Sequence, residues 1–88
     1  MYEYKKERHR IFTDNGVVTL LEIRDNVDRL LEEAGAVKLW NAVKGYGGSS
    51  WIQLACIDYL VETKHIKEIP TTGPTDDKIF VSTKSSEL

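Results

Sequence analysis

The stretch GYGGSS, Gly45–Ser50, sets three glycines and two serines ahead of an apolar run, WIQLACIDYLV. A helix opening after such a turn can hold an anion on its first backbone N–H groups. The stretch lacks the preceding strand of a dinucleotide fold and the GKS or GKT ending of a phosphate loop, so it reads as a flexible turn. His9 and His65 are far apart in sequence, with no HxxxH spacing and no cysteine beside them, so no metal-ligand set is expected. Cys56 is the sole cysteine, which excludes an internal disulfide and a thiolate cluster, and its apolar flanks make it a small core residue. Serine, histidine and aspartate show no grouping beyond chance spacing. The expectation is a protein that is not an enzyme and uses neither cofactor nor metal.

Binding is the remaining class of function, and the chain's size limits the scaffold available for it. Its 88 residues correspond to one small domain, able to bury roughly 60 to 65 per cent of its unfolded surface. With 41% hydrophobic and 30% charged residues, the composition is that of an ordinary globular chain rather than a disordered or fibrous one. No apolar run approaches the ~20 residues that cross a bilayer, and MYEYKKERHR has no apolar stretch behind its charges, so neither a span nor a secretory signal is read; a cytoplasmic protein is expected.

The net charge of −2 is unevenly spread. Lys5, Lys6, Arg8 and Arg10 outweigh Glu3 and Glu7 at the N-terminus, whereas Thr19 to Ala34 carries five carboxylates against Arg24 and Arg29. From Gly35 to Ser82 the charges cancel. Only the N-terminal segment is basic.

The clearest element is TLLEIRDNVDRLLEEAG. Thr19 with Glu22 three residues later reads as a capping box, and Leu20, Ile23, Val27, Leu30, Leu31 and Ala34 then line one face of a helix that Gly35 stops. Ahead of it, Asn15-Gly16 between two β-branched or aromatic runs predicts either a hairpin or an ordered arm. Ala36 and Val37 suit a very short strand, and Leu39, Trp40 and Val43 suit a two-turn helix with one apolar face. Ser49 or Ser50 can cap a further helix running to about Thr63. HIKEI and DKIFVST, separated by PTTGPTDD, read as the two strands of a long hairpin.

This order of elements resembles a winged helix-turn-helix domain. The resemblance covers Thr19 to Ser82 through KLWNAVKGYGGSSWIQLACIDYLVETK and the wing HIKEIPTTGPTDDKIFVS. It implies an α+β domain over residues 19–82, with residues 1–18 as a basic arm or hairpin and residues 83–88 as a polar tail. It also implies a DNA-binding regulatory protein whose third helix enters the major groove. By position, the contacts would be Ser49, Ser50, Trp51, Gln53 and Leu54 on that helix and Thr71, Thr72, Thr75 and Lys78 in the wing, flanked by Lys5, Lys6, Arg8, Arg10, Lys38, Lys44, Lys64 and Lys67.

The residue types pull partly the other way. At about 3.6 residues per turn, the third helix turns Ile52, Cys56, Ile57, Tyr59, Leu60 and Val61 inward, with Gln53 near them, and Trp51, Leu54, Ala55, Asp58 and Glu62 outward. That outer face has two carboxylates and no base, while DNA affinity rests on Lys and Arg. The basic arm can supply phosphate contacts instead. The alternative is a winged helix that docks a protein partner through Trp51, Leu54 and Tyr46. Double-stranded DNA, a protein partner and a homodimer are thus the expected associations.

Overall fold

The computed structural model describes residues 2–45, 50–69 and 78–83. The wing residues Thr71, Thr72, Thr75, Asp76 and Asp77, together with Tyr46, Ser49 and the tail beyond Thr83, lie outside the described residues.

The architecture is α+β, with helices packed on a three-stranded antiparallel sheet. Helix α1 spans Tyr4–Glu7 and runs into a 3-10 turn, Arg8–Phe12, before the long helix α2, Asp14–Ala34. Strand β1 is Val37–Lys38, α3 is Leu39–Val43, α4 is Ser50–Glu62, and β2 (Ile66–Ile69) and β3 (Ile79–Ser82) complete the chain. The sheet order is β1-β3-β2. Ile66 faces Ser82 and Ile69 faces Ile79 across the hairpin, while Val37 faces Phe80 on the other edge of β3.

The start of α2 departs from the sequence reading. The capping residue is Thr13, and Thr19 stands inside the helix, its hydroxyl donating to the Asn15 carbonyl at 3.1 Å. Thr13 Oγ1 donates to the Arg10 carbonyl at 2.8 Å and accepts from the Gly16 N–H at 3.1 Å. No hairpin forms at Asn15-Gly16, because these residues make the first turn of α2. Their glycine serves close approach: a Cβ on Gly16 would stand 1.9 Å from the Arg10 carbonyl oxygen. The segment read as an arm is therefore helical and continuous with the domain, and Ile11 is wholly buried in the common core.

The rest of the core follows the apolar periodicity. Ile23 and Val27 of α2 meet Ala42 and Val43 of α3, Ala55 to Ile57 and Leu60 of α4, and Ile66 and Phe80 of the sheet. Gly35 closes α2 in the left-handed region at φ 77°, with its N–H on the Leu31 carbonyl at 2.8 Å. Asn26 is the buried polar joint between α2 and α3. Its Nδ2 donates to the carbonyls of Asn41 and Ala42 at 3.1 and 3.0 Å, and its Oδ1 accepts from Arg29 at 2.6 Å. The last carbonyls of α3, which lack helical partners, are thereby satisfied from a neighbouring helix.

Two substitutions test the entry into α2. Thr13→Ala should lower stability by about 1 kcal/mol through loss of the cap. Gly16→Ala should cost more than that, since the Arg10 carbonyl must move. Urea denaturation of both variants beside Thr19→Ala checks the assignment: if Thr19→Ala proves the most damaging of the three, the helix does not begin at Thr13.

Candidate nucleic-acid interface

Helix α4 occupies the place of the third helix of the expected fold, and its surface is divided between exposed and covered parts. Ser50 is exposed at its first turn, Trp51 is 41% exposed, and Leu54 is half-buried against the core. Gln53 is half-buried. Ala55, expected to face outward, is completely buried. The reason is that α4 packs against α2 on one side and against α1 and the 3-10 turn on another, so apolar residues occur nearly all round it.

The two outward carboxylates are engaged by the N-terminal segment. Tyr2 donates its phenol to Asp58 Oδ2 at 2.5 Å. Arg8 Nε donates to Glu62 Oε1 at 3.0 Å, and the Tyr4 phenol reaches the same oxygen at 3.2 Å. The Arg8 guanidinium also lies over the rings of Phe12 and Tyr59, 5.1 and 5.6 Å from their centroids, and these rings meet edge to face at 5.6 Å. A planar cation stacked on aromatics while bonded to a carboxylate is held more firmly than an isolated surface pair. Burial, followed by the hydrogen bond to Asp58, pushes the Tyr2 phenol well above its ordinary value near 10, and burial likewise raises Tyr4. The bond to Glu62 raises Arg8.

The remaining cations separate into those near this surface and those away from it. Lys5 and Lys6 stand exposed on α1, where Lys6 makes a 3.5 Å surface pair with Glu3. Arg10 is tied to the buried Glu7, with Nε 3.0 Å from Oε1 but out of line for a hydrogen bond. Lys78 joins Tyr2, Leu54 and Asp58 around a hollow of about 210 Å³, so the base of the wing adjoins the middle of α4. Lys38 lines a different hollow, of about 310 Å³, with Leu30, Ala34 and Asn41. Lys44 is exposed after α3, and Lys67 is exposed on β2. Lys64 follows α4 in the left-handed region at φ 62° and lines a third hollow with Asp28 and His65. His65 Nε2 and Asp28 Oδ1 are 2.6 Å apart there, tying the start of β2 to α2. Cys56 lies in the core, where burial pushes its thiol up to about 11.

The sequence reading missed the covering of α4, although a signal was present. Tyr4, Arg8 and Phe12 recur every fourth residue, the spacing of one helical face. Comparison with known proteins gives no family model, no curated protein and no solved structure that matches the chain.

The bond between Tyr2 and Asp58 has a measurable pH signature. Because the folded phenol binds its proton more tightly than the unfolded one, its contribution to stability is complete below the ordinary value near 10 and fades as pH rises above it. In a spectrophotometric titration, one phenol should ionise only with alkaline unfolding, and Tyr2→Phe should remove that late step. A titration unchanged by Tyr2→Phe would show that the bond does not form in solution.

Proposed function

We propose that this chain is a small winged-helix protein that binds double-stranded DNA and acts as a transcriptional regulator, with α4 as the groove-facing helix and the N-terminal segment as a second source of phosphate contacts. The winged-helix reading is supported by the succession α2, β1, α3, α4 and the β2–β3 hairpin, with β1 paired on the free edge of β3.

The observation that carries the DNA reading is the capture of Asp58 and Glu62 by Tyr2, Tyr4 and Arg8. Two bare carboxylates on the outer face of α4 would repel a phosphate backbone. Glu62 is paired with the Arg8 cation, Asp58 accepts from the neutral Tyr2 phenol, which shields it without removing its charge, and α1, packed on α4, carries the exposed Lys5 and Lys6. Ser50 and Trp51 are exposed at the first turn of α4, and Lys78 adjoins its middle. The exposed Trp51 beside half-buried Leu54 favours a second reading, a winged helix that docks a protein partner there. We take the chain to work in the cytoplasm as a homodimer, the commonest closed assembly, with α2 offering an exposed apolar stretch.

Fluorescence anisotropy with a labelled random duplex distinguishes the readings. Binding should weaken steeply with salt, and joint Lys5→Ala and Lys6→Ala substitution should reduce the log–log salt slope by about two, one for each phosphate that is no longer neutralised. Arg8 is left in place because its removal would free Glu62. Absence of binding at about 100 µM protein in low salt rejects the DNA reading. An interaction indifferent to salt but abolished by Trp51→Ala would establish the protein reading in its place.

A further inference from the structure

We propose that two copies of this chain pair through the exposed face of the N-terminal half of α2, with the two α2 helices antiparallel. This deepens the homodimer reading above and rests on it. Val17, Val18 and Leu21 are 39%, 55% and 41% exposed, and they lie within two turns of one another on the side of α2 opposite buried Ile23, Asn26 and Val27. Single exposed apolar residues require no explanation, but three contiguous ones on one helix face form a patch of the kind that marks a contact surface.

Charge selects a second copy as the occupant and sets its direction. The patch is flanked by exposed Asp14 at its N-terminal end and by exposed Arg24 at its C-terminal end. A parallel pair would set Asp14 on Asp14 and Arg24 on Arg24. In the antiparallel pair, Val17 of each copy meets Leu21 of the other, and the same register brings Asp14 level with the second copy's Arg24. Two-fold symmetry forms every such pair twice. Arg24 is available for this pairing, since its own ion pair is a long one, 3.8 Å to exposed Asp25. A contact of three apolar side chains per copy belongs to the small, weak class of interfaces, so association is expected at micromolar concentrations.

Sedimentation equilibrium of the full chain from about 1 to 500 µM, spanning that range, tests the proposal. The mass should rise from 10.0 kDa towards twice that value with concentration. Leu21→Glu should raise the dissociation constant at least about tenfold with an unchanged circular dichroism spectrum. Should that variant not fold, Val18→Lys, at the most exposed of the three positions, replaces it with the same expectation. Asp14→Arg and Arg24→Asp should each weaken the dimer, and the two together should restore it, because the exchange rebuilds the same cross-pairs. A wild type that stays monomeric throughout overturns the dimer reading itself. A dimer indifferent to Leu21→Glu overturns only this surface. A double exchange no tighter than either single variant overturns the antiparallel register.

Discussion

The crossing of the Arg10 carbonyl over Gly16 is the constraint from which the rest of the site follows. No side chain fits between these two backbones, so the 3-10 turn lies directly on the first turn of α2 and drives Ile11 into the core. Thr13 locks the crossing by serving both strands of it, donating to one side and accepting from the other. Once the turn is fixed there, the preceding residues run back along α4, which brings Tyr2, Tyr4 and Arg8 to Asp58 and Glu62. The chemistry of the α4 surface is thus decided near the opposite end of the chain.

Helix α4 is consequently packed against α2, α1 and the 3-10 turn. Among the described residues of α4, Ser50 and Trp51 at its start and Glu62 at its end are exposed, and the end of α3 is held by Asn26. A buried side-chain amide with every partner in place costs little and fixes one geometry, whereas the same amide with a missing partner would cost about 1–3 kcal/mol. The joint therefore sets how α3 lies on α2, and an apolar residue there would fill the space without setting that arrangement.

Much of the fold is legible in the sequence because it depends on periodicity and local turn chemistry. The apolar spacing of α2, its stop at Gly35, the short strand at Val37 and the strands at Ile66 and Ile79 all reflect local preferences that the tertiary structure leaves in force. The misreadings share one physical origin. Thr19 with Glu22 has the spacing of a cap, and Asn15-Gly16 that of a hairpin, but a backbone packed on Gly16 overrides both local preferences. A helical wheel turns Ala55 outward because it assumes one buried face, and α4 has more than one. The ties from Tyr2 to Asp58 and from Asp28 to His65 join residues distant in sequence, and pairings of that kind leave no local trace.

The crossing at Gly16 also governs how the polypeptide ages. Asparagine followed by glycine is the dipeptide that closes most readily to a succinimide in a mobile chain, because an unhindered backbone nitrogen can attack the neighbouring side-chain carbonyl. Here that nitrogen donates to Thr13 Oγ1, and the main-chain carbonyl of Asn15, not the side-chain carbonyl under attack, accepts from Thr19 within the helix. Cyclisation requires the start of α2 to unravel, so the covalent lifetime of this bond is coupled to the local opening of the first turn.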